Sequence, residues 1–252
     1  MRADVFPQSE LRDHSYWEQA KCPLVCLVFL TPLLVIYEVG VLLFSESSQT
    51  VVRNGADHWM RMGLQSIGLN AQHALPFLIV FGLVGWHFVG RYPCKISTDT
   101  LLGMVSESLL FAFCLVVLGQ LQNVAFRELN ISPDLMIGQD ALPRILAFVG
   151  AGVYEEVMFR LCLLPMLFGI FRVLAMPIKW AAVLSVLSTS LIFSLAHYVG
   201  SSAETLTLFS FTFRSLAGLF FAGLFYFRGF GITVGCHAAY DVIVGFLMEL
   251  NG

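Results

Sequence analysis

The residues best suited to chemistry in this chain are two adjacent glutamates, Glu155 and Glu156, two histidines, His197 and His237, and one aspartate, Asp241, all set in apolar sequence. The glutamates lie in GAGVYEEVMFRLCLLP together with Arg160, His197 closes FSLAH, and HAAYD runs from His237 to Asp241. Glu156 and Arg160 are four residues apart with the acid on the N-terminal side, the better orientation for an ion pair on a helix. Glu155 projects about 100° around the helix from Glu156, which frees it to face another element. His237 and Asp241 share a helical face, where a carboxylate accepts from one imidazole nitrogen and fixes the tautomer of the other. An ionisable group at the centre of a bilayer costs roughly 3 kcal/mol, so three such features on three apolar segments point to a functional site. Each piece alone has a blander reading: a Glu–Arg pair that locks helices together, or a histidine satisfied at a helix end. A proton relay or small transporter would also carry intramembrane acids and histidines, but no repeat symmetry or pair of broken helices accompanies them here.

The elements that must position these residues are membrane helices. Of the 252 residues, 58% are hydrophobic and 12% charged, with a mean hydropathy of +0.79. A chain with so few charges cannot cover a water-facing surface, so lipid must solvate much of it. A spanning helix needs about 20 mostly apolar residues, and seven such runs are present. They lie near Pro23 to Phe44, Ala74 to Gly90, Thr100 to Gln122, Ala141 to Phe171, Ile178 to Tyr198, Phe209 to Phe227 and Gly231 to Leu250. The fold class is therefore all-α, a polytopic transmembrane bundle of about seven spans. Residues 1–22 form a polar, mixed-charge N-terminal segment without the pattern of a cleavable signal peptide, and residues 23–252 form one transmembrane domain. In the connection from Ser45 to His73, Trp59, Met60, Met62, Leu64 and Ile67 suit an interfacial helix or a packed loop; Asn123 to Asp140 reads as irregular. The distribution of Lys and Arg places the N-terminus inside, with Arg228 among the inner charges and Arg53 and Arg61 outside. The expected location is the cytoplasmic membrane of a prokaryote.

Other residue classes carry less. The net charge of −3 and the absence of a Lys/Arg cluster exclude a nucleic-acid surface. Cys22, Cys26, Cys94, Cys114, Cys162 and Cys236 contain no CxxC pair and read as small packing residues. Glu38 and Glu107 fall in or near spans with no obvious partner, and His14, His58, His73 and His87 lie in polar segments or near span ends.

The ordered set EEVMFR (Glu155 to Arg160), FSLAH (Phe193 to His197) and HAAYD (His237 to Asp241) resembles the CAAX prenyl protease and bacteriocin-processing family, also called CPBP or Abi. The resemblance spans roughly residues 141–250, the expected catalytic core. It implies an intramembrane endopeptidase that cuts a membrane-associated protein or peptide. Glu155 would be the general base, His197 would help to bind and activate the attacking water, and His237 with Asp241 would stabilise the oxyanion; Glu156 and Arg160 would be the supporting pair. The CAAX branch typically has Asn where this chain has Asp241. An ionised carboxylate cannot donate to an oxyanion, so Asp241 is expected to orient His237 instead. Metal-independent glutamate catalysis is the favoured reading, with no cofactor; the alternative is a Zn²⁺ ion held by Glu155, His197 and His237. A non-catalytic scaffold or regulator of the same family is the competing function.

One geometric conflict accompanies this reading. Straight helices laid from common membrane faces separate Glu155, His197 and His237 in depth by more than about 10 Å.

Overall fold

The computed structural model describes residues 16–45, 53–69, 71–93, 95–128, 141–200 and 205–250. Their helices, in chain order, are α1 (Tyr16–Gln19), α2 (Pro23–Ser45), α3 (Gly55–Ser66), α4 (Ala71–Val89), α5 (Thr98–Glu128), α6 (Ala141–Glu156), a π-helical turn (Val157–Leu163), α7 (Leu164–Val173), α8 (Ile178–Ala196), α9 (Leu208–Arg228) and α10 (Phe230–Leu250). Each apolar run in the sequence is helical. Four helices, α2, α5, α8 and α9, are long and apolar enough to cross a membrane by length and composition. The protein is an integral membrane protein with an all-α fold.

The ends of the helices follow local chemistry. Thr207 and Ser210 form a capping box at the start of α9, each side chain bonded to the other's backbone N–H. Gly229, at φ +93°, ends α9 and turns the chain into α10, a backbone conformation that L side chains rarely adopt. α5 continues to Glu128, past the expected end at Gln122, so part of the connection read as irregular is helical. α8 stops at Ala196 with His197 as its C-cap residue, short of the expected end at Tyr198. Residues 54–67 form α3 with its caps, which decides between helix and packed loop there. His14, Cys94 and residues 129–140 lie outside the described residues.

α10 is the axis of the bundle. It packs against α5, α6, α2 and α9, and every residue from Phe230 to Ala238 is buried. A helix apolar on all sides needs that enclosure. Small residues allow the closest approaches: a Cβ on Gly152 of α6 would lie 2.6–2.8 Å from the Cβ, N and Cα atoms of Ala238 on α10. Two apolar clusters flank this axis. One draws on α2, α4, α6 and α10, and the other gathers Ala112, Leu115, Phe159, Phe193, Ala217, Phe221, Leu224 and Cys236.

Glu38 and Glu107 have partners that sequence spacing did not reveal. Arg61 of α3 pairs with Glu38 at 2.7 Å, and Arg228 holds Glu107 through two hydrogen bonds of 2.6 and 2.7 Å. The Arg228 guanidinium also lies 3.6 Å from the ring centre of Trp17, a cation–π contact that ties α1 to the end of α9. Arg61 and Arg228 are thus buried partners of carboxylates rather than free loop charges.

Gly152→Ala tests the α6–α10 approach. The added methyl group meets Ala238 backbone atoms that cannot swing away, so a loss of about 1–3 kcal/mol is expected. A thermal melt of the purified protein in detergent measures it; an unchanged midpoint would contradict the packing described.

Candidate active site

Glu155 and Glu156 are the last two residues of α6, immediately before the π-helical turn. Pro165 lies just beyond that turn and has no N–H to donate to Leu161, and its ring crowds the carbonyl four residues back, so regular α-helical hydrogen bonding cannot continue there. π-helical turns are often found at functional sites. Across this one, Arg160 Nε lies 3.0 Å from Glu156 Oε2.

The depth conflict disappears when the chain is followed through its turns. α6, the π turn and α7 run end to end for about 50 Å, against roughly 30 Å of hydrocarbon. The rod's far end and the α7–α8 turn therefore need not share a plane with the other helix ends. Glu155 lies about 27 Å along the rod from Val173, and His197 lies about 28 Å along α8 from Ile178, at ~1.5 Å per residue. Counted from the turn that joins the two helices, they are level. His237 is brought to the same place by the α6–α10 approach at Gly152 and Ala238.

The side chains converge. Glu155 Oε2 lies 3.7 Å from His197 Nε2 and 3.9 Å from His237 Nε2. His197 Nδ1 is 2.8 Å from the Phe193 carbonyl, which can only accept, so that nitrogen carries a proton. In the neutral ring Nε2 is then an acceptor. His237 Nδ1 is 2.7 Å from Glu156 Oε1, and Phe221 stacks on the ring with centroids 4.4 Å apart. Asp241 Oδ2 lies on the other side of the imidazole, 3.5 Å from Nε2. Glu156 is fully buried, whereas the side chains of His197 and Asp241 keep 23% and 21% of their exposure, so the site opens on their side.

These contacts extend the expectation that Asp241 orients His237. Asp241 lies at Nε2, and a second carboxylate, Glu156, holds Nδ1. Spacing along α10 made Asp241 the natural partner, but helix packing brings a carboxylate from α6 to a shorter distance on the opposite nitrogen. Glu156 is thus more than the counter-ion of Arg160, since its two oxygens serve a guanidinium and an imidazole at once. The Arg160 guanidinium lies over the rings of Phe193, Phe221 and Phe159, at 4.8, 5.4 and 5.9 Å.

Asn54, the N-cap residue of α3, is a member of the site that sequence reasoning missed. Its Nδ2 donates to Glu155 Oε1 at 2.9 Å. In sequence it is one asparagine in a polar connection, and no spacing rule links it to Glu155.

A zinc ion would need its nitrogen and carboxylate ligands about 2.0–2.2 Å away. Among the described residues no group of three or more His, Cys, Asp or Glu side chains is arranged to hold a metal ion.

Glu156→Ala would leave Arg160 buried without its carboxylate and His237 without its Nδ1 acceptor. Breaking a buried pair by removing one partner costs about 3–5 kcal/mol. The expected outcome is a marked fall in the melting midpoint, far larger than for the near-isosteric Glu155→Gln.

A family model described as type II CAAX prenyl endopeptidase, Rce1-like, matches residues 138–243. No curated protein and no solved structure matches the chain. The matched segment contains Glu155, Glu156, Arg160, His197, His237 and Asp241, together with the π turn and the hairpin that aligns them. Residues 138–243 are thus similar to the CAAX prenyl protease family of membrane endopeptidases.

Proposed function

We propose that the protein hydrolyses a peptide bond of a membrane-associated protein or peptide with a water activated by Glu155 and His197. The observation that carries this reading is the convergence of two acceptors, Glu155 Oε2 and His197 Nε2, 3.7 Å apart in a largely buried site. A water donating one O–H to each is oriented with its lone pair directed away from both. Glu155 takes a proton from that water as its oxygen bonds to the substrate carbonyl carbon. The carbonyl π bond opens and its oxygen becomes an oxyanion.

His237 lies beside the reacting group. With Nδ1–H given to Glu156, a doubly protonated ring still has Nε2–H to aim at the oxyanion, 3.9 Å from the base. Asp241, 3.5 Å from that same nitrogen, balances the charge of the ring without itself donating. The protonated Glu155 then gives its proton to the departing nitrogen, the C–N bond breaks and the carbonyl re-forms as a carboxyl product. Arg160 touches none of the reacting atoms; it holds Glu156 and, through it, His237. The proposed chemistry is metal-independent.

The test uses purified full-length protein in detergent and a library of membrane-spanning peptides. Wild type is expected to cleave, and Glu155→Gln to lose about 10²–10⁴-fold or more of the rate, as removal of a general base does. EDTA and phenanthroline should leave the wild-type rate unchanged. Full activity in Glu155→Gln would sink the glutamate mechanism, and loss of activity to chelators restored by zinc would replace it with a metal-dependent one.

A further inference from the structure

We propose that Asn54, which lies outside the segment matched by the family, is a positioning residue that selects which oxygen of Glu155 acts as the base. The inference rests on the glutamate reading above. A glutamate carboxylate turns about a soft terminal torsion with broad, nearly two-fold preference. Left alone, it presents its two oxygens in a range of orientations. The hydrogen bond from Asn54 Nδ2 to Oε1, at 2.9 Å, fixes the plane of the group. Oε2 has no hydrogen bond to any described residue and faces both histidines.

Asn54 is itself held at two further points. Its Oδ1 accepts from the Ala56 N–H at 2.7 Å, which leaves the amide nitrogen as the group that faces Glu155. Its backbone N–H donates to Tyr37 Oη at 3.2 Å. Tyr37 Oη donates to Asp57 Oδ2 at 2.9 Å, and Arg53 Nη1 donates to the same oxygen at 2.8 Å. Arg61 then joins Asp57 to Glu38 on α2, and Tyr154 on α6 donates to that Glu38. α3 is thus clamped by charged and hydroxyl groups to α2 and to α6, the helix that carries Glu155. A helix that only covered the site would need no such registry with α2 and α6.

The N-cap role and the positioning role need different atoms of Asn54. Capping needs a side-chain oxygen, which Asp and Ser also provide. Positioning Glu155 needs an N–H donor at the right length, which neither provides. The experiment compares wild type, Asn54→Asp, Asn54→Ser, Asn54→Ala and Glu155→Gln, each as the full chain in detergent, on the fastest-cleaved peptide of the library. Asn54→Asp keeps the capping oxygen but sets a second carboxylate against Glu155 Oε1, so its midpoint is expected to fall somewhat. Asn54→Ser is expected to keep a melting midpoint and KM near the wild-type values while kcat falls by about 100-fold, the scale of a misplaced reacting group. Asn54→Ala should lose the cap as well, so its midpoint falls too. Asn54→Ser is read first, because it caps the helix but its hydroxyl is too short to reach Oε1; if it fails to fold, Asn54→Asp is read in its place.

Wild-type kcat in a folded, capped variant, with Glu155→Gln inactive, overturns the positioning role and leaves the glutamate mechanism standing. Equal activity of wild type and Glu155→Gln overturns both.

Discussion

The buried chain Arg160–Glu156–His237 is the constraint on which the rest of the site depends. A guanidinium inside an apolar bundle is tolerated only if its charge is matched at close range. Glu156 matches it within the same helical rod, and the other oxygen of Glu156 reaches across to α10. That single carboxylate therefore sets three things at once: it compensates Arg160, it ties α6 to the central helix, and it decides which nitrogen of His237 points toward Glu155. Phenylalanine rings around Arg160 and the ring of Phe221 against His237 complete the enclosure without adding charge.

The three consecutive residues Tyr154, Glu155 and Glu156 show how α-helical geometry divides this work. Successive side chains are about 100° apart around the axis, so neighbours in sequence face different parts of the bundle. Tyr154 joins the Glu38–Arg61–Asp57 network that clamps α3. Glu155 meets Asn54 on one oxygen and the two histidines on the other. Glu156 turns to Arg160 and His237. The base is thus flanked by two charge networks, and neither uses its reactive oxygen. Such separation keeps a carboxylate available in a setting where buried polar groups normally pair.

Local sequence made much of this legible. Apolar runs of helical length marked every membrane helix, because hydropathy over such a window is a property of the segment itself. The pairing of Glu156 with Arg160 could be read from a four-residue spacing for the same reason. Partners from distant helices could not. Glu38 meets Arg61 and Glu107 meets Arg228 only because packing brings separate helices together. Asn54 looks like any N-cap until α3 docks beside α6.

The sequence by itself determined that the chain is a helical membrane protein, since composition and periodicity are written in it directly. It also carries an acid–histidine set whose motif order resembles that of CAAX proteases. Only the tertiary structure decided that Glu155, His197 and His237 stand at one level. That outcome follows from lengths counted through the α7–α8 turn and from a glycine-permitted approach of α6 to α10, rather than from each helix's distance to a membrane face. It also gave His237 a second carboxylate, Glu156, on Nδ1. Spacing along one helix states which residues can meet, but the distance across an interface states which of them do.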